Sequence, residues 1–194
     1  MNRFVAYIMI LLMFSFNDYS DIRETLVVIT PSSKVEIKGK TNINKFNCYF
    51  DCSNIKNPIP ISYQFNDTNM LFHNTKLILQ NSCFDCRNNG MNKDFYNLLN
   101  SDIHPSIMME LVSVKKQDLN TNFNALVNIE LSGVKKSYYI PVIIEKNESI
   151  SINGSIKLNI CDFNLDPPTK ALGLIVVDEE IEIILQLEVK EQIN

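Results

Sequence analysis

Five cysteines are the residues whose type and spacing could do chemistry in this chain: Cys48, Cys52, Cys83, Cys86 and Cys161. Two readings of the first four compete. As disulfides, the pairs Cys48–Cys86 and Cys52–Cys83 have residue-number sums one apart, as two bridges between roughly antiparallel segments would give. That pairing leaves Cys161 as a free thiol, although four cysteines allow three pairings. As a metal site, Cys48-x3-Cys52 with Cys83-x2-Cys86 is an admissible tetrathiolate spacing for zinc. A basic, apolar start to the chain, described below, favours the disulfides, because oxidising compartments preserve them. A redox-active Cys83-Phe84-Asp85-Cys86 would have to open a helix in a βαβ unit, and the flanking sequence has no such pattern.

Catalysis finds little else to work with. His73 and His104 are the only imidazoles. His104 precedes Pro105, so its backbone is extended or turning, and no recognisable motif matches either histidine to a Ser or Cys nucleophile. Asp162 and Asp166 lie just ahead of Pro167-Pro168 and read as carboxylates that cap a turn rather than an acid/base couple. A Gly-rich phosphate cradle is absent. The expectation is a protein that is not an enzyme, with no cofactor and no metal. Net charge is −4, scattered singly, which argues against nucleic acid as a partner.

The elements that hold these residues are strands. From Asn122 to Val189 one apolar/polar alternation follows another. Ala125, Val127, Ile129 and Leu131 share a face, as do Ile152, Ile156, Leu158 and Ile160, and again Ile181, Ile183, Leu185, Leu187 and Val189. Upstream, Phe46, Cys48, Phe50 and Cys52 fall on one side of a strand. The one helical stretch is Asn92 to Asn100, where Phe95, Leu98 and Leu99 make a stripe and Pro105 stops continuation. About eight or nine two-faced strands must close on themselves or leave adhesive edges, so an all-β, antiparallel β-barrel or sandwich with one short helix is expected. Pro141 falls mid-strand and cannot donate to a ladder, which predicts an edge or bulge there and a candidate entrance.

A chain of 194 residues with 45% hydrophobic content fits one core. Its first residues read as an export signal, Asn2-Arg3 followed by apolar Phe4 to Phe16; that run spans roughly 20 Å as a helix, short of the roughly 30 Å membrane core. The expected divisions are a signal peptide over 1–20, a linker and first strand over 21–32, and a barrel domain over 33–190.

The ordered landmarks resemble a known family. They are "GKTNINKFNCYF", then "CRNNGMNKDFYNLLNSDIHPSI", then "ALVNIELSGVKKSYYIPV", then "INGSIKLNICDFNLDPPTKALGLIVVDEEIEIILQL". Met91, Asp94, Leu98-Leu99 ahead of His104-Pro105, the Leu131-to-Lys135 corner and Asp162-Phe163 ahead of Pro167-Pro168 carry the likeness. In this order they resemble the YceI-like family of exported, lipocalin-like polyisoprenoid-binding proteins. The front departs from the usual pattern, offering Ser32-Ser33-Lys34-Val35 in place of an aspartate–histidine–serine opening. The resemblance implies an eight-stranded barrel whose cavity takes an isoprenoid or other long-chain lipid, in a periplasmic or secreted protein of the bacterial envelope, with room for transient membrane contact and for a homodimer. Phe46, Phe50, Val127, Ile129, Ile156, Leu158, Ile183 and Leu185 are then the candidate cavity wall. Asn88, Asn89, Lys93 and Asp94 are the candidate rim for a polar head. The alternative is a filled barrel that serves as an interaction or stress-response module and takes no ligand.

Overall fold

The computed structural model describes residues 22–66, 69–117, 121–170 and 174–192. The expected signal segment over 1–20 lies outside them. The chain runs through β1 (Arg23–Ile29), β2 (Lys34–Lys40), β3 (Lys45–Phe50), β4 (Ile59–Asn66), β5 (Asn69–Gln80) and β6 (Phe84–Asp85) to helix α1 (Asn89–Leu98). It continues through β7 (Ser106–Lys116), β8 (Asn122–Leu131), β9 (Val134–Lys146) and β10 (Ile150–Asn159). A 3-10 turn (Ile160–Phe163), β11 (Thr169–Lys170), β12 (Ile175–Val176) and β13 (Glu180–Glu191) follow.

Eleven strands form one sheet in the order β1-β4-β5-β7-β8-β9-β10-β13-β2-β3-β6, and an additional β1–β13 pairing closes the first eight into a ring. Every pairing is antiparallel. The expected all-β architecture is thus present, closed so that few edges are left bare. Strand β13 performs the closure. One edge pairs with β10 from Glu180 to Val189, while the other edge pairs first with β2 and then with β1. The corner between β1 and β2 stays hooked to that edge, because the Thr30 amide donates to Glu188 O at 2.9 Å and the Glu188 amide donates to Ser33 Oγ at 2.9 Å. Strand β1 therefore belongs to the ring, although it lies ahead of residue 33, where the sequence suggested that the barrel begins.

Two irregularities keep the apolar face inward around the ring. The β5–β7 register shifts between Leu71 and Thr75, with Asn74 at φ 54°, and the β7–β8 register shifts between Leu111 and Ser113. An extra residue reverses the two-residue alternation, so Met109 and Leu111 face inward before the shift and Val114 after it, each opposite an inward residue of β8. Between β8 and β9, Ser132 (φ 47°) and Gly133 (φ 78°) make a two-residue turn of the kind that matches strand twist. A Cβ at Gly133 would sit 2.8 Å from His104 Cε1, so His104 packs on the turn.

Helix α1 starts three residues before the apolar stripe suggested, because Asn88 Oδ1 accepts the Met91 amide at 3.1 Å and caps it. Phe95 reaches Phe84, ring centroids 5.1 Å apart, and Phe84 reaches Phe50 at 5.0 Å. This aromatic chain, worth more than its area alone, fastens the helix to the wall.

Two carboxylates link stability to pH. Burial pushes Glu36 upward, but the Lys34 ammonium at 2.8 Å and the charges of Lys34 and Lys38 outweigh it and hold the carboxyl below its ordinary value. Hydrogen bonds from Lys135, at 2.7 Å, and from Asn128 hold Glu110 down likewise. A depressed folded value stabilises above the unfolded value, about 4.3 for Glu, and that stability is lost as pH falls through the folded value. Urea midpoints are expected to hold from about pH 7 to 5 and to fall below about pH 4. Glu36→Gln should flatten the fall; an unchanged acid limb in that variant would remove Glu36 from the account.

Candidate functional site

The two ends of the ring differ in what covers them. At one end the chain passes from β5 to β7 through α1, from β8 to β9 through the Ser132-Gly133 turn, and from β10 to β13 through the 3-10 turn. At the other end lie the β4–β5, β7–β8 and β9–β10 hairpins, with the start of β1 beside the end of β13. Among the described residues no helix or 3-10 turn lies at this hairpin end.

Inward residues at the waist are packed, as Ile129 (0% exposed) and Ile183 (2%) illustrate. Towards the hairpin end the inner face stays apolar but becomes half-exposed. Tyr63 pairs with Phe72 and Phe65 with Met70; Met70 continues to Val114, and Val114 to buried Ala125, which fixes this face as the interior one. Tyr63 meets Phe65 edge-on at 5.7 Å and Phe72 at 6.1 Å. Phe65 is 48% exposed, a large apolar ring open to solvent inside the mouth of a ring of strands. Across the opening, Ile144 pairs with Ile152 and Ile152 with Leu187, all half-buried. Lower on the same wall the Thr75 hydroxyl is buried with no hydrogen-bond partner among the described residues, a position that normally finds one.

The candidate cavity residues sit deeper than this mouth. Phe50, Val127, Ile129, Ile156, Leu158, Ile183 and Leu185 are all buried in the core, and Phe46 packs half-buried against it. Phe46 lines a surface depression of about 670 Å³ beside α1, together with Asn88 and Met91. Leu185 lines another of about 490 Å³, where Pro141 and Gly154 meet. One depression thus brings the cavity candidate Phe46 and the rim candidate Asn88 together. The rim candidates Asn88, Asn89, Lys93 and Asp94 lie on or beside α1, at the covered end and not at the mouth. Asn88 is there as a helix cap.

Pro141 stands at an edge, as its missing N–H predicts. Strand β9 pairs with β10 only over Val142–Lys146 and Ile150–Gly154. Beyond that point the strands part, and Ile160, Phe163 and Leu165 fill the gap with buried side chains.

Cysteine chemistry is settled by register. β3 and β6 pair Tyr49 with Asp85 and Phe50 with Phe84; the next pair in that register is Cys48 opposite Cys86, and the two are bonded. Cys52 and Cys83 are not. Cys83 falls opposite Asp51, whose amide donates to Cys83 O at 3.0 Å, so Cys52 is one residue out of register and strand alternation turns the two thiols apart. The tetrathiolate zinc reading fails with the bond. Among the described residues no group of three or more His, Cys, Asp or Glu could hold a metal. Burial pushes the Cys52 thiol up, and burial with the charges of Glu179, Asp166 and Asp162 does the same to Cys161, so neither is a ready nucleophile. His73 is exposed on the outer wall, and Asp162 lies within the 3-10 turn that fills the β9–β10 gap.

A closed antiparallel ring of eight strands, one end covered by a short helix and the other an apolar mouth, is a lipocalin-like barrel with the YceI-like fold. Solved structures bear this out. BcnA from Burkholderia cenocepacia superposes with a TM-score of 0.64 at 14% identity, over 84% of this chain and 99% of its own. A polyisoprenoid-binding domain from Saccharophagus degradans, implicated in plant cell wall breakdown, gives 0.58 at 10% identity over 89% and 100%. The YceI protein of Campylobacter jejuni gives 0.55 at 13% identity over 73% and 84%. No family model and no curated protein matches the sequence. Among the described residues no helix is long and apolar enough to cross a membrane.

Proposed function

We propose that this barrel binds the apolar chain of an amphiphile, an isoprenoid or a comparable long-chain lipid, through its hairpin end, and that it carries or sequesters this cargo without chemistry. The observation that carries the reading is the half-exposed apolar inner face around Tyr63, Phe65 and Phe72, which water covers at a cost in the absence of a partner. Each CH₂ transferred from water to that face gains on the order of 0.8 kcal/mol. The buried Thr75 hydroxyl supplies a polar contact below the aromatic wall, and the deep set from Phe50 to Leu185 forms the floor. One structural neighbour is a polyisoprenoid-binding domain, which agrees with this choice of ligand. The site of action is the bacterial envelope or its exterior, with membrane contact only while cargo is exchanged.

The packed waist favours one rival, a filled barrel that acts as an interaction module. Native and denaturing mass spectra of protein purified from an envelope fraction, followed by solvent extraction, separate the two. An extra mass that leaves on denaturation and extracts as a prenyl lipid or other long-chain lipid is expected. A bare polypeptide mass that stays unchanged after incubation with prenyl lipids would leave the filled barrel as the better reading.

A further inference from the structure

We propose that the mouth selects an amphiphile with an anionic head, a carboxylate or a phosphate, held by Arg23, Lys116 and Lys146; this rests on the lipid-chain reading above. Each of the three is the inward residue at the hairpin end of its strand. Arg23 pairs with Tyr63, Lys116 with Phe123 and Lys146 with Ile150. Residues directly opposite on antiparallel strands share a face, and all three partners are apolar residues of the inner wall. The Arg23 guanidinium also lies 5.5 Å from the centroid of the Phe65 ring, so a cation stands over the aromatic wall as a head-group ligand stands over a tail.

Charge normally occupies the outer face of a barrel strand, where water solvates it. Here three cations occupy the inner face at one end of a chain whose net charge is −4. The inward acid among the described residues at this end is Glu191, opposite Val27, and it already accepts the Thr25 hydroxyl at 2.8 Å. The ion pairs of the described residues, Lys34–Glu36, Lys40–Asp178, Lys135–Glu110 and Lys157–Glu180, include none of the three cations. A free anion entering head-last behind an apolar tail meets three positive charges that no carboxylate among the described residues pairs. The competing role for long basic side chains is to cover apolar wall with their stems while the charge stays in water, and that role gives no preference between heads.

Calorimetric titration of the full chain with hexadecanoate and hexadecyl phosphate, each below its micellar concentration, and with hexadecanol below its solubility limit tests the proposal. Both anions are expected to bind about tenfold more tightly than the alcohol, the combined effect of three partly exposed ion pairs. The tighter of the two names the head. The Arg23→Gln/Lys116→Gln/Lys146→Gln variant should lose that advantage and keep its hexadecanol affinity; should it not fold, Lys116→Gln/Lys146→Gln carries the same comparison. Equal binding of all three probes to the native chain, or an anion advantage that survives in the variants, overturns the head-group assignment and leaves the tail site standing. If none of the probes binds, both fall.

Discussion

Replacing Cys48 and Cys86 together by alanine is expected to lower the unfolding free energy by about 4 kcal/mol, the loop-closure entropy of a bridge across this separation. The bond spans 38 residues. It closes β3 onto β6, a strand of only two residues that leads directly into the cap of α1, so it is the covalent tie of the covered end. Both residues are buried, and alanine leaves a cavity that adds to the loss. The matched control is Cys52→Ala/Cys83→Ala, which breaks no bond and should cost clearly less. Urea denaturation of the three proteins gives the comparison, and thiol labelling of the unfolded, unreduced chain should find three free thiols: Cys52, Cys83 and Cys161. One labelled thiol in place of three would mean that Cys52 and Cys83 are bonded after all.

That offset of one residue shows how much of this fold is written locally. The near-equal residue-number sums reveal two antiparallel segments facing each other, and β3 and β6 do pair. They do not reveal which sum is in register, because strand alternation gives the two sums opposite faces and only the closed sheet chooses between them. The alternations of β8, β10 and β13 are legible for the opposite reason: each strand is long, regular and half-buried, so its sequence states its own inner face. Strand β5 is not legible in this way. Asn74 at positive φ and the register shift beside it break the period in the segment that carries Met70 and Phe72, so only the β4 half of the mouth, with Ile59, Ile61, Tyr63 and Phe65 in strict alternation, leaves a continuous pattern.

Which end of the barrel is covered cannot be read from any one strand. It depends on the connections, and the rim candidates on α1 show the consequence. Asn88, Asn89, Lys93 and Asp94 form a polar cluster beside a turn, as a rim would, yet α1 packs over the other end of the ring from the half-exposed wall. Capping chemistry and rim chemistry use the same residue types. The inward cations at the mouth are the reverse case, since Arg23, Lys116 and Lys146 look like ordinary strand-end charges until pairing fixes their face.

Phe163→Ala is expected to lower the unfolding free energy by about 3–5 kcal/mol, the cost of deleting a fully buried aromatic side chain. Phe163 is 0% exposed, and its ring stacks on Tyr138 at 6.2 Å. Its importance comes from Pro141. Once β9 leaves β10 there, the wall between them has no ladder, and what closes it is a 3-10 turn ended by Asn164 at φ 59°. Asparagine tolerates that left-handed position, so the chain can reverse and drive Phe163 into the gap. Removing the ring opens a stretch of wall that no β9–β10 ladder closes. Phe163→Leu, which keeps most of the volume, should recover most of the loss. An environment-sensitive apolar dye should bind the alanine variant more strongly than the native chain under folding conditions. A loss below about 0.5 kcal/mol, within the range of an ordinary surface change, with unchanged dye binding, would mean that the gap closes without Phe163 and that the covered end of the barrel owes its integrity to α1 and the Cys48–Cys86 bond instead.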